Sequence, residues 1–393
     1  MAAMLVLMGS GETSPTMVEV HRAAARGLRA GARAALLDTP YAFQENAADI
    51  SARACRYFAH SVGLEVGVAP GVTGADWVFS GPGSPTYALD RWAESGVAGD
   101  LRARVRARSG VTVLASAAAC TAGLATVPVY EIYKVGAEPH WREGLGLMQA
   151  LGLRVVVIPH FDNAEGGTHD TRYCYLGERR LSRMERELPP GAAVLGLDEH
   201  TALVIDLESE AVEVAGRGGV TVRRSGSVTV LPTGTRTDLP GLRRLAEGRT
   251  LAGPAPRPEA AGLATPAQIT LEESARTSER LFGEAVAARD MAAAARAVLD
   301  LETEIVTWAA DTEEDAGGVD QARELMRLLI ARLGEPGDTA DVHALLAPLM
   351  ALRAELRAQG GYAVADALRA ALLKGGVLVQ DTPDGPRWEP APR

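Results

Sequence analysis

Lysine is nearly absent from this chain. Only Lys134 and Lys374 occur in 393 residues, and arginine supplies the rest of the 40 basic side chains. Together with the abundant alanine, this reads as genome composition rather than function. Acidic residues number 50, so the formal net charge is -10. That balance excludes a general attraction to phosphate backbones or anionic membranes. Cysteine is also scarce. Cys55, Cys120 and Cys174 are widely spaced and form no CxxC pair, which argues against a disulfide framework and against a zinc site. No apolar run approaches a membrane span of about 20 residues. Met1 to Met8 is apolar but lacks a basic start and a cleavage site, so it reads as a first strand rather than a signal peptide. The expected compartment is the cytoplasm. Gly9-Ser-Gly-Glu12 lacks the third glycine and the downstream acid of a dinucleotide fingerprint, and no P-loop is present. No cofactor and no metal are expected.

What the chain does have is alternation. Through about residue 230, short β-branched runs alternate with segments of helical spacing: Met4–Met8, Ala32–Leu37, Asp76–Ser80, Val111–Ala115 and Leu153–Pro159 read as strands. Such alternation predicts a doubly wound parallel sheet with helices on both faces. Ligands bind such sheets at the carboxyl ends of the strands. Further strands are expected over Ala192–Leu207, Val212–Ala215, Val220–Arg223 and Val228–Leu231. Residues 1–235 are therefore read as an α/β domain and 236–268, rich in Pro, Gly and Ala, as a linker. Residues 269–393 are read as an all-α bundle, with long periodic segments over Leu271–Ala310, Gly318–Leu333 and Asp341–Gln359. A last helix over Tyr362–Leu373 and a small hairpin turning at Asp384-Gly385 follow.

The sharpest local signal is Val111-Thr-Val-Leu-Ala-Ser-Ala-Ala-Ala-Cys120. An apolar strand stops at a serine and only small residues follow. A tight strand-to-helix turn that exposes a serine Oγ needs that pattern. Ser116 is the candidate nucleophile, and it needs a base and an oxyanion hole. His160 ends a strand and would reach the same sheet edge, although a structural histidine reads the same way. Glu199 sits in a polar break, Gly196-Leu-Asp-Glu-His-Thr-Ala202, and could orient an imidazole or simply be a solvated turn. Gly81 and Gly83 form a turn after a strand whose N–H groups could face a developing oxyanion. Val127–Lys134 and Asn163–Tyr173 are rich in polar groups. Their Glu131, Tyr133, His169, Asp170 and Arg172 are candidate substrate-pocket residues or ordinary loop residues, and Glu131 is the second choice for the acid.

Four segments in order carry a resemblance: Phe79-Ser-Gly-Pro-Gly83, Ala115-Ser-Ala-Ala-Ala119, Gly144-Leu-Gly-Leu147 with Ile158-Pro-His-Phe161, and Gly196–Ala202. Over roughly Met4–Gly234 the chain resembles the serine-hydrolase group of aspartyl dipeptidase (peptidase E) and cyanophycinase. The resemblance implies the class I glutamine-amidotransferase-like fold, Ser116 as nucleophile, His160 as base and Glu199 as third member. It implies oxyanion donors in the Gly81–Gly83 turn and at the Ala117 amide. Two positions depart from it. Ala118 stands where the family usually has glycine, and Pro82, which has no N–H, replaces a glycine in the oxyanion turn. Loss of one donor there costs roughly 10²–10³ in rate.

A second resemblance covers Leu352–Arg369 and Gly376–Trp388, which are similar to the carboxyl end of cysteinyl-tRNA synthetases; Leu281–Leu333 is similar more loosely. The synthetase's catalytic signatures are absent. From Leu251 onward 14 basic residues face 23 acidic ones, whereas RNA binding needs a basic face. The helical region is thus expected to serve homo-oligomer or protein contacts, with tRNA disfavoured and no membrane partner. The leading reading is an amidase or peptidase acting on a small peptide or amide. A catalytically weak binding module and a tRNA-linked acyl-transfer enzyme stay open beside it. A glutamine amidotransferase is disfavoured because Cys120 lies about a helical turn beyond the elbow.

Overall fold

The computed structural model describes residues 3–164, 169–224, 226–249, 271–308, 318–333, 340–374, 376–382 and 385–390. Its strands are β1 (Met4–Met8), β2 (Ala34–Leu36), β3 (Val66–Val68), β4 (Trp77–Ser80), β5 (Val111–Ala115), β6 (Ala125–Thr126), β7 (Arg142–Glu143) and β8 (Val155–Ile158). They continue with β9 (Ala193–Leu197), β10 (Thr201–Asp206), β11 (Ala211–Gly216), β12 (Gly219–Arg224), β13 (Ser227–Pro232), β14 (Arg236–Asp238), β15 (Val377–Thr382) and β16 (Gly385–Pro390).

The first compact unit, 1–327, holds two principal sheets. The larger has the order β14-β11-β10-β1-β5-β4-β2-β3, with β1, β5, β4, β2 and β3 parallel and the other three antiparallel. The smaller has the order β13-β12-β9-β8, with β8 and β9 parallel. The parallel sheet read from the sequence is present in β1, β5, β4, β2 and β3; it carries antiparallel strands as well, and a second, smaller mixed sheet accompanies it. Val155–Ile158 pairs with β9 rather than joining the strand that carries Ser116. Which strand a buried run pairs with is decided by non-local register, and strand periodicity does not carry it.

The central strands of both sheets are buried on both faces, and alternation along each strand sends successive side chains to different cores. Leu5 and Leu7 of β1 and Val155 and Val157 of β8 share one core with Leu195, Val220 and the helix residues Trp92 and Leu101. Val6 and Met8 face a second core with Phe58, Trp77 and Phe79. Val156 and Ile158 face a third with Phe161, Leu181 and Met184. Near-continuous apolar strands are the signature of sheets covered on both sides.

The apolar stretch Ala192–Leu207, read from the sequence as a hairpin with a polar break, is two strands that do not pair with each other. Its polar break is where the chain leaves the small sheet as β9 and enters the large one as β10. Residues 236–246, read from the sequence as linker, form β14 and the helix Leu239–Ala246. That helix buries Leu239, Leu242 and Leu245, and its first turn is capped when Asp238 Oδ1 accepts the Gly241 N–H at 2.6 Å. Residues 250–268 of the expected linker lie outside the described residues. The long helical run from Leu271 is two helices, Leu271–Ala287 and Met291–Trp308. Arg289 adopts a left-handed backbone between them, and Asp290 caps the second by accepting the Ala293 N–H at 2.8 Å.

The second compact unit, 328–393, contains the helices Ala340–Ala358 and Tyr362–Lys374 and the hairpin β15–β16. The expected turn residue Asp384 lies outside the described residues. Within this unit Arg353 is fully buried and grips both carboxylate oxygens of Asp381, the longer contact at 2.9 Å. Among the described residues no helix is long and apolar enough to cross a membrane.

Candidate active site

Three turns converge. Ser116 follows the extended Ala115 at the carboxyl end of β5 and opens the short helix Ser116–Cys120, with its own φ at +46°. A left-handed backbone costs a non-glycine residue roughly 1–2 kcal/mol. Small neighbours make that turn sterically feasible: Ala117, Ala118 and Ala119 are all buried. The Ala118 N–H donates to the Gly81 carbonyl at 3.2 Å, tying the serine turn to the turn after β4. Alanine at 118 therefore fits without displacing this contact.

His160 follows β8 and also has a left-handed backbone, φ +47°. Its carbonyl accepts the Cys174 N–H at 3.1 Å, and the next residue, Phe161, donates its N–H to Leu197 at 3.0 Å. Glu199 lies in the turn that passes from one sheet to the other. Its own N–H donates to Asp162 Oδ1 at 2.7 Å. Thus the large sheet presents the serine, the small sheet the histidine, and their connection the carboxylate.

Ser116 Oγ lies 2.8 Å from His160 Nε2, and His160 Nδ1 lies 3.0 Å from Glu199 Oε1. A carboxylate only accepts, so Nδ1 carries the proton and Nε2 accepts from the serine hydroxyl. Asn163, itself buried, donates Nδ2 to the same Glu199 oxygen at 3.2 Å. Burial works to raise the Glu199 pKa. The hydrogen bond from His160, its charge and the Asn163 amide outweigh burial and hold the carboxyl below its ordinary value. Its neighbour Asp198 goes the other way. Burial, with the charges of Asp162 and Glu199, pushes it up to about 6 against the Gly219 N–H that it accepts at 2.8 Å.

The three residues border a cavity of about 280 Å³. Gly83 and Ala117 line it, whereas Gly81 does not; its carbonyl is engaged by Ala118. Gly83 has φ +126°, and an added Cβ would stand 2.2 Å from the Pro40 carbonyl oxygen, so only glycine fits. Pro82 lines the cavity without an N–H to offer. The Ala117 amide, in the first turn of its helix, has no intrahelical carbonyl to reach.

Of the candidate pocket residues, Tyr133 lines the cavity, its ring 4.8 Å from that of Tyr175. Glu131 does not touch His160; it accepts the Thr86 hydroxyl at 2.6 Å and stands outside the lining, which removes it as the second choice for the acid. His169 stacks on Tyr133 with ring centroids 6.5 Å apart, outside the lining. Asp170 and Arg172 form a bidentate pair at 2.8 and 2.9 Å, and Asp170 also accepts the Glu178 N–H at 2.9 Å at the start of the helix Gly177–Glu185. Local structure claims these two, and they do not line the cavity.

Sequence reasoning missed Ser10, Tyr175 and His200 and, within the polar stretch Val127–Lys134, did not pick out Tyr130 and Lys134; all five line the cavity. Lys134, one of two lysines and set over the Tyr130 ring at 4.8 Å, was the most visible of them. Cys120 and Cys174 line it too, but burial pushes the Cys120 thiol up to about 12 and the Cys174 thiol well above its ordinary value. Both stay protonated and poor as nucleophiles. Among the described residues no group of His, Cys, Asp and Glu is arranged to hold a metal ion.

No family model matches the chain. It is similar to a solved peptidase from an acI-B1 Actinobacterium, with 19% identity and TM-score 0.44 over 61% of this chain and 97% of that one. It is also similar to a solved candidate peptidase E protein from Listeria monocytogenes, with 12% identity and TM-score 0.37 over 59% of this chain and 99% of that one. In sequence it is 34% identical over 85 residues to a cysteine–tRNA ligase of Frankia casuarinae, covering 20% of this chain. The match spans only 16% of that ligase.

Proposed function

We propose that the chain is a serine-nucleophile amidase or peptidase acting on a small peptide or amide. The observation that carries this reading is the continuous hydrogen-bond line Ser116–His160–Glu199, at 2.8 and 3.0 Å, opening onto a cavity. In the proposed reaction Ser116 Oγ attacks the carbonyl carbon while His160 Nε2 takes the hydroxyl proton. Glu199 holds the imidazole in the required tautomer and stabilises the imidazolium. The Ala117 and Gly83 amides serve as the oxyanion donors, in place of the proton that Pro82 lacks. The tetrahedral intermediate collapses, the C–N bond breaks, and His160 gives its proton to the departing amine. Water then repeats the sequence on the acyl-enzyme and releases the acid. The cavity volume suits a ligand near dipeptide size rather than a folded protein.

The test is covalent labelling of the full chain with a fluorophosphonate, followed by peptide mapping. Modification is expected at Ser116 and is lost in Ser116→Ala. An intact, folded chain that takes no label would reject the hydrolase and favour the binding-module reading, in which the same cavity holds a ligand without turnover.

A further inference from the structure

His200 borders the same cavity and plays no part in the proposed triad. Its surroundings dictate where its proton sits. Ser14 Oγ donates to the Gly11 carbonyl at 2.6 Å, which uses the only hydroxyl hydrogen of Ser14. Thr16 Oγ1 lies 2.6 Å from Ser14 Oγ, so Thr16 must donate there. Both hydroxyls are then acceptors toward His200 Nδ1, at 2.9 Å from Thr16 and 3.3 Å from Ser14. Nδ1 therefore carries the hydrogen, and in the neutral ring Nε2 is a bare lone pair. Among the described residues Nε2 has no hydrogen-bond partner.

The ring is also clamped. On one side Gly11 approaches so closely that an added Cβ would stand 2.1 Å from Nδ1. On another, Trp308, the last residue of the helix Met291–Trp308, meets the ring edge-on at 5.7 Å between centroids. The His200 backbone N–H donates to Ser10 Oγ at 3.3 Å.

We propose that His200 is a specificity-determining residue whose Nε2 accepts a hydrogen bond from an N–H group of the ligand, an amide or an ammonium. The proposal rests on reading this cavity as the substrate site. Burial supports it by lowering the His200 pKa to about 4; Glu199 pulls it up, and Arg217 and His160 push it down. The ring is thus neutral at pH 7, and Nε2 would become a donor only in acid. A ligand whose only polar atoms are acceptors finds no partner at His200 Nε2, whereas one that brings an N–H does.

The experiment is 15N spectroscopy of the ring nitrogens of His200 in the full chain, assigned by His200→Phe, with glycinamide and N,N-dimethylacetamide as the probes. At pH 7 the expected spectrum is that of the Nδ1–H tautomer. Glycinamide, which carries both amine and amide hydrogens, should shift the Nε2 resonance; N,N-dimethylacetamide, which has no N–H, should not. Thr16→Val should let the Nε2–H tautomer grow. His200→Phe keeps an aromatic ring against Trp308 and should weaken glycinamide's protection of Ser116 from fluorophosphonate by about 10-fold. An Nε2–H tautomer in the unmodified chain, or a glycinamide titration that leaves His200 unmoved, would overturn the proposal. If the label never reacts, the hydrolase reading falls while the ring spectra still decide this one.

Discussion

The cavity-bearing unit and the C-terminal unit use polar side chains in opposite ways. Around the cavity, Ser116, His160 and Glu199 form one hydrogen-bonded line and His200 hangs from Thr16; Ser116, His160, Glu199 and His200 all line the opening. In the unit from Leu328 on, the prominent charges are matched to one another. Arg353 is buried and bidentate on Asp381, and Arg357 reaches Asp381 at 3.5 Å and Asp366 at 3.8 Å. The synthetase-like segment therefore spends two of its arginines on its own hairpin and helices. Resemblance in sequence can mark a retained scaffold as readily as a retained contact; which groups keep an open valence tells the two apart.

Four measurements would break or sharpen that contrast. The largest effect is expected at the acid. Glu199→Gln should lower fluorophosphonate labelling by about 10³–10⁴-fold, because the imidazole loses its fixed tautomer. Glu131→Gln, which disturbs only the Thr86 contact, should change it by less than about 3-fold. Equal losses in the two variants would remove Glu199 from its proposed role.

Next is the ion pair of the C-terminal unit. Asp381→Asn leaves a buried guanidinium with a weaker partner and should cost that unit about 1–3 kcal/mol. Faster amide exchange over 377–390 would report it, with Ser116 labelling unchanged. Unaltered exchange would mean that the pair is not structural.

A smaller effect is expected at Asp198, whose folded pKa of about 6 lies above the ordinary carboxyl value. A raised folded pKa means that the native state holds its proton more tightly. Stability is then greatest in acid and falls as pH rises through about 6. Asp198→Asn keeps an oxygen for the Gly219 N–H and removes the charge. It should gain about 1–2 kcal/mol at pH 7.5 and nothing near pH 4, by urea unfolding at both. A gain of equal size at both pH values would assign the effect to something other than this proton.

The last expected outcome is a null one. Total tRNA should form no complex with the full chain that survives about 150 mM salt. Submicromolar binding at that salt would erase the contrast and make the remaining arginines, Arg369 and Arg387, the first to replace.

Much of the site was legible because its signals are local. A β-branched run into small residues marks a tight turn at Ser116. A strand that stops at Pro159-His160 marks an edge. A polar break in an apolar stretch marks Glu199. The second, smaller sheet could not be read, because pairing depends on register between β8, β9 and β12, far apart in sequence. Asp170 and Arg172 misled for a related reason. A polar cluster in a loop looks the same whether it faces a ligand or satisfies its own helix start. His200 was hidden by its role, since its proton is set by hydroxyls nearly two hundred positions away.

One feature of the wall ties fit to rate. Tyr173, Cys174 and Tyr175 take three successive left-handed conformations, and the first two amides hang from the carbonyls of Phe161 and His160 at 3.0 and 3.1 Å. The cavity's aromatic lip and the proposed base are thus suspended from one another. A substrate too bulky for the lip would push Tyr175 outward and, through that suspension, draw the imidazole off line. Under the hydrolase proposal, the wrong molecule would then be bound adequately and processed slowly, so that discrimination shows in kcat with KM little changed.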